Sequence, residues 1–176
     1  MLRILFGMPA LVALMASSVV ADPLAAEAAT DTNVAARVAR SDIHVEQPNI
    51  LPSQAMPLGN GRLGVALWAA QGLTAQLNRS DTLPRRLSPG WLVVPGLAQM
   101  VADRGFRARL HLHDGQWRAT GGGLTARAYV DQEYDRFVVE VGGADPGVEQ
   151  TAQLQLWPPR TPQTIVADDV ALLVEQ

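Results

Sequence analysis

The chain has 176 residues, 48% of them hydrophobic, enough for one domain with a buried core. A formal net charge of −3, with fourteen Lys and Arg spread along the chain, gives no sign of a polyanion-binding surface and makes nucleic acid an unexpected partner. Cysteine is absent, which excludes disulfides, thiolate metal sites and a cysteine nucleophile.

Residues 1–21 read as a leader. Arg3 supplies a short positive segment, Ile4 to Met15 an apolar stretch, and Val19-Val20-Ala21 a small-residue cleavage site before Asp22. Gly7 and Pro9 interrupt the apolar run, which is too short to span a membrane. The expectation is an exported protein, periplasmic or extracellular, with no membrane span once the leader is removed. Residues 22–41, rich in Ala, Thr, Asp and Asn, have no apolar stripe of useful length and read as a linker, with Ala25 to Ala29 able to form a turn of helix.

From Asp42 the pattern changes, and residues 42–176 read as a single all-β, antiparallel sandwich domain. The run Pro57-Leu58-Gly59-Asn60-Gly61-Arg62-Leu63-Gly64 packs three glycines into six residues, a composition suited to a tight loop. An apolar strand, Val65 to Ala70, follows, and then Leu77-Asn78-Arg79-Ser80-Asp81-Thr82. Leu97 to Asp103 has the one helical pattern. Phe106 to His113 alternates with Phe106, Ala108, Leu110 and Leu112 on one face and Arg107, Arg109, His111 and His113 on the other. Asp114-Gly115 turns the chain into Gln116 to Ala119. Strands are expected again at Leu124 to Val130, Arg136 to Val141, Thr151 to Trp157, Thr164 to Val166 and Val170 to Val174. Short strands between turns, polar on one face, indicate large antiparallel sheets.

The segments Ala55 to Gly64 and Gln76 to Leu83, with the later stretch Ala126 to Val141, resemble the N-terminal β-sandwich domain of glycoside hydrolases of the family-95, α-L-fucosidase-like type. The resemblance spans roughly Gln47 to Trp157. It implies a supersandwich that in the family precedes a helical linker and a catalytic (α/α)6 barrel holding the carboxylates of an inverting hydrolase. The chain is too short to hold both domains, and its sandwich is shorter than the family's. The implied function is therefore that of a non-catalytic N-terminal domain whose partner is such a barrel. A freestanding carbohydrate-binding sandwich is the alternative, and a structural or adhesion sandwich a third.

Candidate sugar contacts are Asn60, Arg62, Asn78 and Trp91, with Gly59, Gly61, Gly64 and Asp81 shaping the loop. Asn and Arg can hydrogen-bond hydroxyls in fixed geometry, and an aromatic face can stack on a sugar ring. Each has a plainer reading. Asn60 and Arg62 can tie down neighbouring loops, and Asn78 and Asp81 can close an Asx-type turn. No catalytic residue is expected. His111 and His113 lack a third convergent ligand, and Asp131, Glu133 and Asp135 lack the spacing of a calcium loop, so neither a metal nor another cofactor is expected. Of Trp68, Trp91, Trp117 and Trp157, Trp91 beside Pro89-Gly90 is the best exposed candidate and most of the others belong in the core.

Overall fold

The computed structural model describes residues 2–4, 34–81, 88, 90–158, 162–167 and 170–175. Most of the expected leader, Ala25 to Ala29, Thr82-Leu83 and Pro89 lie outside the described residues.

Two antiparallel sheets make the body of the protein. The first has the order β1-β10-β9-β8-β7-β2, built from Leu2–Ile4 (β1), Phe137–Gly142 (β10), Leu124–Val130 (β9), Gln116–Gly121 (β8), Arg107–His111 (β7) and Ile43–Val45 (β2). The second has the order β11-β6-β5-β4-β3, from Gln153–Leu156 (β11), Gly90–Val94 (β6), Leu73–Arg79 (β5), Leu63–Trp68 (β4) and Met56–Gly59 (β3). Pro162–Ala167 (β12) and Val170–Glu175 (β13) pair as a separate hairpin. Leu2–Ile4 belong to the segment expected to be a leader, yet β1 pairs with β10, placing Leu2 opposite Val141 and Ile4 opposite Val139.

The alternation expected for the later strands places the core. Leu124, Ala126, Ala128 and Val130 are buried along β9, as are Phe137, Val139 and Val141 along β10. They meet Leu58, Leu63, Val65, Leu67, Leu73, Leu92 and Val94 of the second sheet in one cluster. A row of small side chains crosses the first sheet, with Ala108 opposite Ala119 and Ala119 opposite Ala126. Strand β3 comes within 8 Å, Cα to Cα, of both β8 and β9. Leu97, Met100 and Phe106, all at most 1% exposed, plug one end of the core. Leu97 and Met100 sit on the 3-10 turn Pro95–Leu97 and the short helix Ala98–Ala102.

Several boundaries differ from the sequence reading. The first half of the glycine-rich run is not loop but β3, an edge strand, where Pro57 can sit because its missing N–H costs no ladder bond. The loop proper shrinks to Asn60, Gly61 and Arg62. Asn78, expected beyond a strand end, lies inside β5 opposite Gly64. The strand expected through His113 ends at His111, because the Asp42 carboxylate accepts the Leu112 N–H at 2.9 Å and the chain turns there. Leu112 is consequently 43% exposed instead of buried, and His111 and His113 do not share a strand face. Part of the expected linker is ordered too: residues 34–38 are helical and Ala39–Ser41 a 3-10 turn. Strands β2, β3, β5 and β6 were not read from the sequence as separate elements.

Because Ala119 is buried in the core, 2% exposed, Ala119→Leu should destabilise the fold by about 1–3 kcal/mol through overpacking. A urea titration should show a lowered midpoint with an unchanged slope; no change in midpoint would mean the sheets do not meet there.

Candidate functional site

The residues singled out by the resemblance gather at one end of the sandwich, around the turn between β3 and β4. Gly59 and Gly61 are required there for different reasons. A Cβ on Gly59 would lie 2.9 Å from the Leu63 carbonyl oxygen, and Gly61 has φ of +91°, a conformation side chains disfavour. Within this turn Asn60 Oδ1 accepts the N–H groups of Arg62 (3.0 Å) and Leu63 (2.8 Å). Its Nδ2 donates to the Asp131 carbonyl and to Asp135 Oδ1, both at 2.9 Å. Two acceptor and two donor positions are all an amide has, so every one in Asn60 is used inside the protein.

Charge surrounds this hub. Asp135, 19% exposed, receives Arg62 Nε at 3.3 Å and an Arg79 nitrogen at 3.3 Å. Arg79 also grips Asp81 with two parallel bonds of 2.8 and 2.6 Å. That grip holds the Asp81 carboxyl down at about 2 and raises the Arg79 guanidinium. The expected Asx-type turn at Asp81 is thus replaced by an arginine fork. Asp131 accepts the N–H groups of Glu133 and Tyr134 and pairs with Arg136, and these bonds keep its carboxyl below the usual range. Ser80 Oγ donates to the Gly61 carbonyl at 2.9 Å, closing β5 onto the turn.

A shallow groove of about 390 Å³ opens beside the hub, lined by Gly59, Gly61, Arg62, Leu63, Gly64, Asn78, Arg79 and Ser80. Arg62, with 59% of its side chain exposed, and the exposed Asn78 turn polar groups toward solvent at its rim. Of the four candidate sugar contacts, the structure brings Asn60, Arg62 and Asn78 together and leaves Trp91 elsewhere. Trp91 lies on the outer face of the second sheet, half-buried between Trp68 (edge-on, 6.3 Å) and Trp157 (4.4 Å). Trp157 Nε1 donates to Ser88 Oγ at 3.1 Å. Trp117 is in the core, 2% exposed.

His111 packs toward Asp42 (3.3 Å), and its imidazole pKa is lowered by burial first and then by Arg109 and Arg118. His113 pairs with its neighbour Asp114 at 2.8 Å. Among the described residues no three metal-ligating side chains converge.

One arrangement escaped the sequence reading. Arg109, Arg118 and Arg127 stand directly opposite one another on β7, β8 and β9. Their alternation with alanines was visible, but their alignment depends on the register set by two hairpin turns. The chain matches no known family model, and no curated protein matches it in sequence.

Removing the amide should cost more than a surface change. Asn60→Ala should lower stability by about 2 kcal/mol or more. Asn60→Asp keeps both turn acceptors but loses both donors and faces Asp135, so it should be at least as damaging; chemical denaturation of the three proteins checks this. The depressed carboxyls also set a pH dependence. Each favours the folded state above its unfolded value near 4, and that advantage is lost as pH falls through the folded values, toward 2 for Asp81. The urea midpoint should therefore drop between about pH 4 and pH 2, and less steeply in Arg79→Gln.

Proposed function

We propose that this chain is the non-catalytic N-terminal β-sandwich of an exported glycoside hydrolase of the α-L-fucosidase-like lineage, serving beside a separate catalytic (α/α)6 barrel. The observation that carries this reading is the state of its carboxylates. Glycoside hydrolysis by inversion needs one carboxyl group kept protonated and another free to activate water. Among the described residues, every carboxyl whose pKa is displaced is displaced downward: Asp42, Asp81, Asp103, Asp114 and Asp131. Those around the β3–β4 turn are committed to arginines or backbone amides. Such groups brace a scaffold and do not donate protons at neutral pH. The motif that suggests the family is, in this reading, a brace at the end of the sandwich. Arg62 and Asn78 at its rim are the groups placed to touch a sugar presented by a neighbouring domain.

The Trp68-Trp91-Trp157 array favours a second reading, a freestanding carbohydrate-binding sandwich. Gln76 and Gln155 flank Trp91 in register on the same outer face, giving amides beside an aromatic surface.

The purified chain should release no nitrophenol from nitrophenyl α-L-fucoside or other aryl-glycosides. Turnover that disappears in Asp81→Ala would overturn the non-catalytic reading. A saturable tryptophan-fluorescence change with neutral oligosaccharides, lost in Trp91→Ala, would move the assignment to the binding module.

A further inference from the structure

All fourteen Lys and Arg positions of this chain are arginines, and among the residues with described side chains four stand on the outer face of the first sheet. Across that face His44 faces Arg109, Arg109 faces Arg118, Arg118 faces Arg127, and Arg127 faces Glu140. Arg107, Thr120, Thr125 and Gly142 form the next row. Strands lie about 4.8 Å apart, so three guanidinium groups occupy about 10 Å of a single line. Like charges directly opposite on a sheet are destabilising.

Among the described residues, direct contacts to carboxylates come at Arg109 and Arg127, while Asp114 acts on Arg118 only through space. Arg109 Nε reaches the Asp42 carboxylate at 2.8 Å, and Arg127 reaches Glu140 at 3.3 Å. Arg118, in the middle, has a neutral partner: its Nε and a terminal nitrogen meet Gln116 Oε1 at 3.3 and 2.9 Å. Arg107 donates to the Phe106 carbonyl. Two hollows of about 480 and 330 Å³ flank Arg118 and share Arg118, Ala119 and Thr120, so a single trough runs across β7 to β10. Thr120, Thr125 and Gly142 lie along it between the arginines, and Glu140 stands at one end with His44 and Glu46 at the other.

We infer that this trough binds a linear polyuronate, a glycan carrying carboxylates along its length; the sugar class rests on the proposed function, while the charge argument does not. The guanidinium fork matches a planar carboxylate in a paired geometry, and Thr120 and Thr125 offer hydroxyl partners. Nucleic acid fits less well. Among the described residues Tyr129 is the tyrosine or tryptophan ring beside the row, and the Arg127 guanidinium covers it at 4.7 Å, leaving no open face for base stacking.

The test uses the full chain in affinity electrophoresis and calorimetry with polygalacturonate, neutral dextran, dextran sulfate and single-stranded DNA. The expected result is binding to polygalacturonate and not to dextran, weakening as salt rises past about 0.15 M, where screening reaches ~8 Å. Arg118→Gln should bind about tenfold more weakly with a melting temperature unchanged or raised, and Arg107→Gln with Arg118→Gln weaker still. Polygalacturonate binding that survives both substitutions would overturn the inference. So would equal or tighter binding of dextran sulfate or DNA, which would make the face a general polyanion surface. Neutral-sugar binding lost in Trp91→Ala bears on the proposed function alone and leaves this result readable.

Discussion

One side chain, with two hydrogen bonds inside its own turn and two across to the other sheet, ties the two sheets together at their most distinctive end. Asn60 leaves the second sheet at the β3–β4 turn and reaches the β9–β10 connection of the first sheet, more than seventy residues away in sequence. Its carbonyl oxygen fixes the turn and its amide nitrogen fixes the neighbour. Both halves depend on glycine: Gly61 supplies the backbone conformation, and Gly59 leaves room for the Leu63 carbonyl. Arg62, Arg79 and Asp135 then build a charged ring around a joint that already exists.

This arrangement separates the molecule into surfaces with different tasks. The buried faces supply an apolar core without disulfides, and the end around Asn60 is braced. The Asp81 and Asp131 carboxylates there stay ionised because cations and amide groups hold them so, a state useful for rigidity and unsuited to donating protons. The outer faces differ in character: the second sheet carries clustered tryptophans beside glutamines, whereas the first carries aligned arginines. Both surfaces fit the proposed scaffold role, in which sugars are met on the surface and bond cleavage is supplied elsewhere.

Much of the fold was legible because period-two alternation survives in β7 to β9, where one face is buried and the other is not, whereas Phe137 to Val141 of β10 are buried on both faces. Alternation failed where burial does not follow it. Strand β3 was hidden inside a glycine-rich run, since Pro57 and Gly59 are turn residues by composition but tolerable on an edge. Leu112 alternated correctly and is nevertheless exposed, because Asp42, seventy residues earlier, claims its N–H and bends the chain. At the candidate site, Asn60, Arg62 and Asp81 were legible as a motif, but their roles were not. Whether an asparagine meets a ligand or its own protein depends on partners such as Asp131 and Asp135, which local spacing does not reveal. The arginine row was missed for a related reason: net charge is a sum, and a cationic face is a matter of register.

The central claim is that Asn60 couples two connections belonging to different sheets. Native-state hydrogen exchange on Asn60→Ala tests it most directly, followed at the amides of Leu63 and of Asp131, which donates to the Arg136 carbonyl at 2.9 Å. If the coupling is real, both amides lose protection together. Loss confined to Leu63, with Asp131 protected as in the unaltered protein, would contradict it.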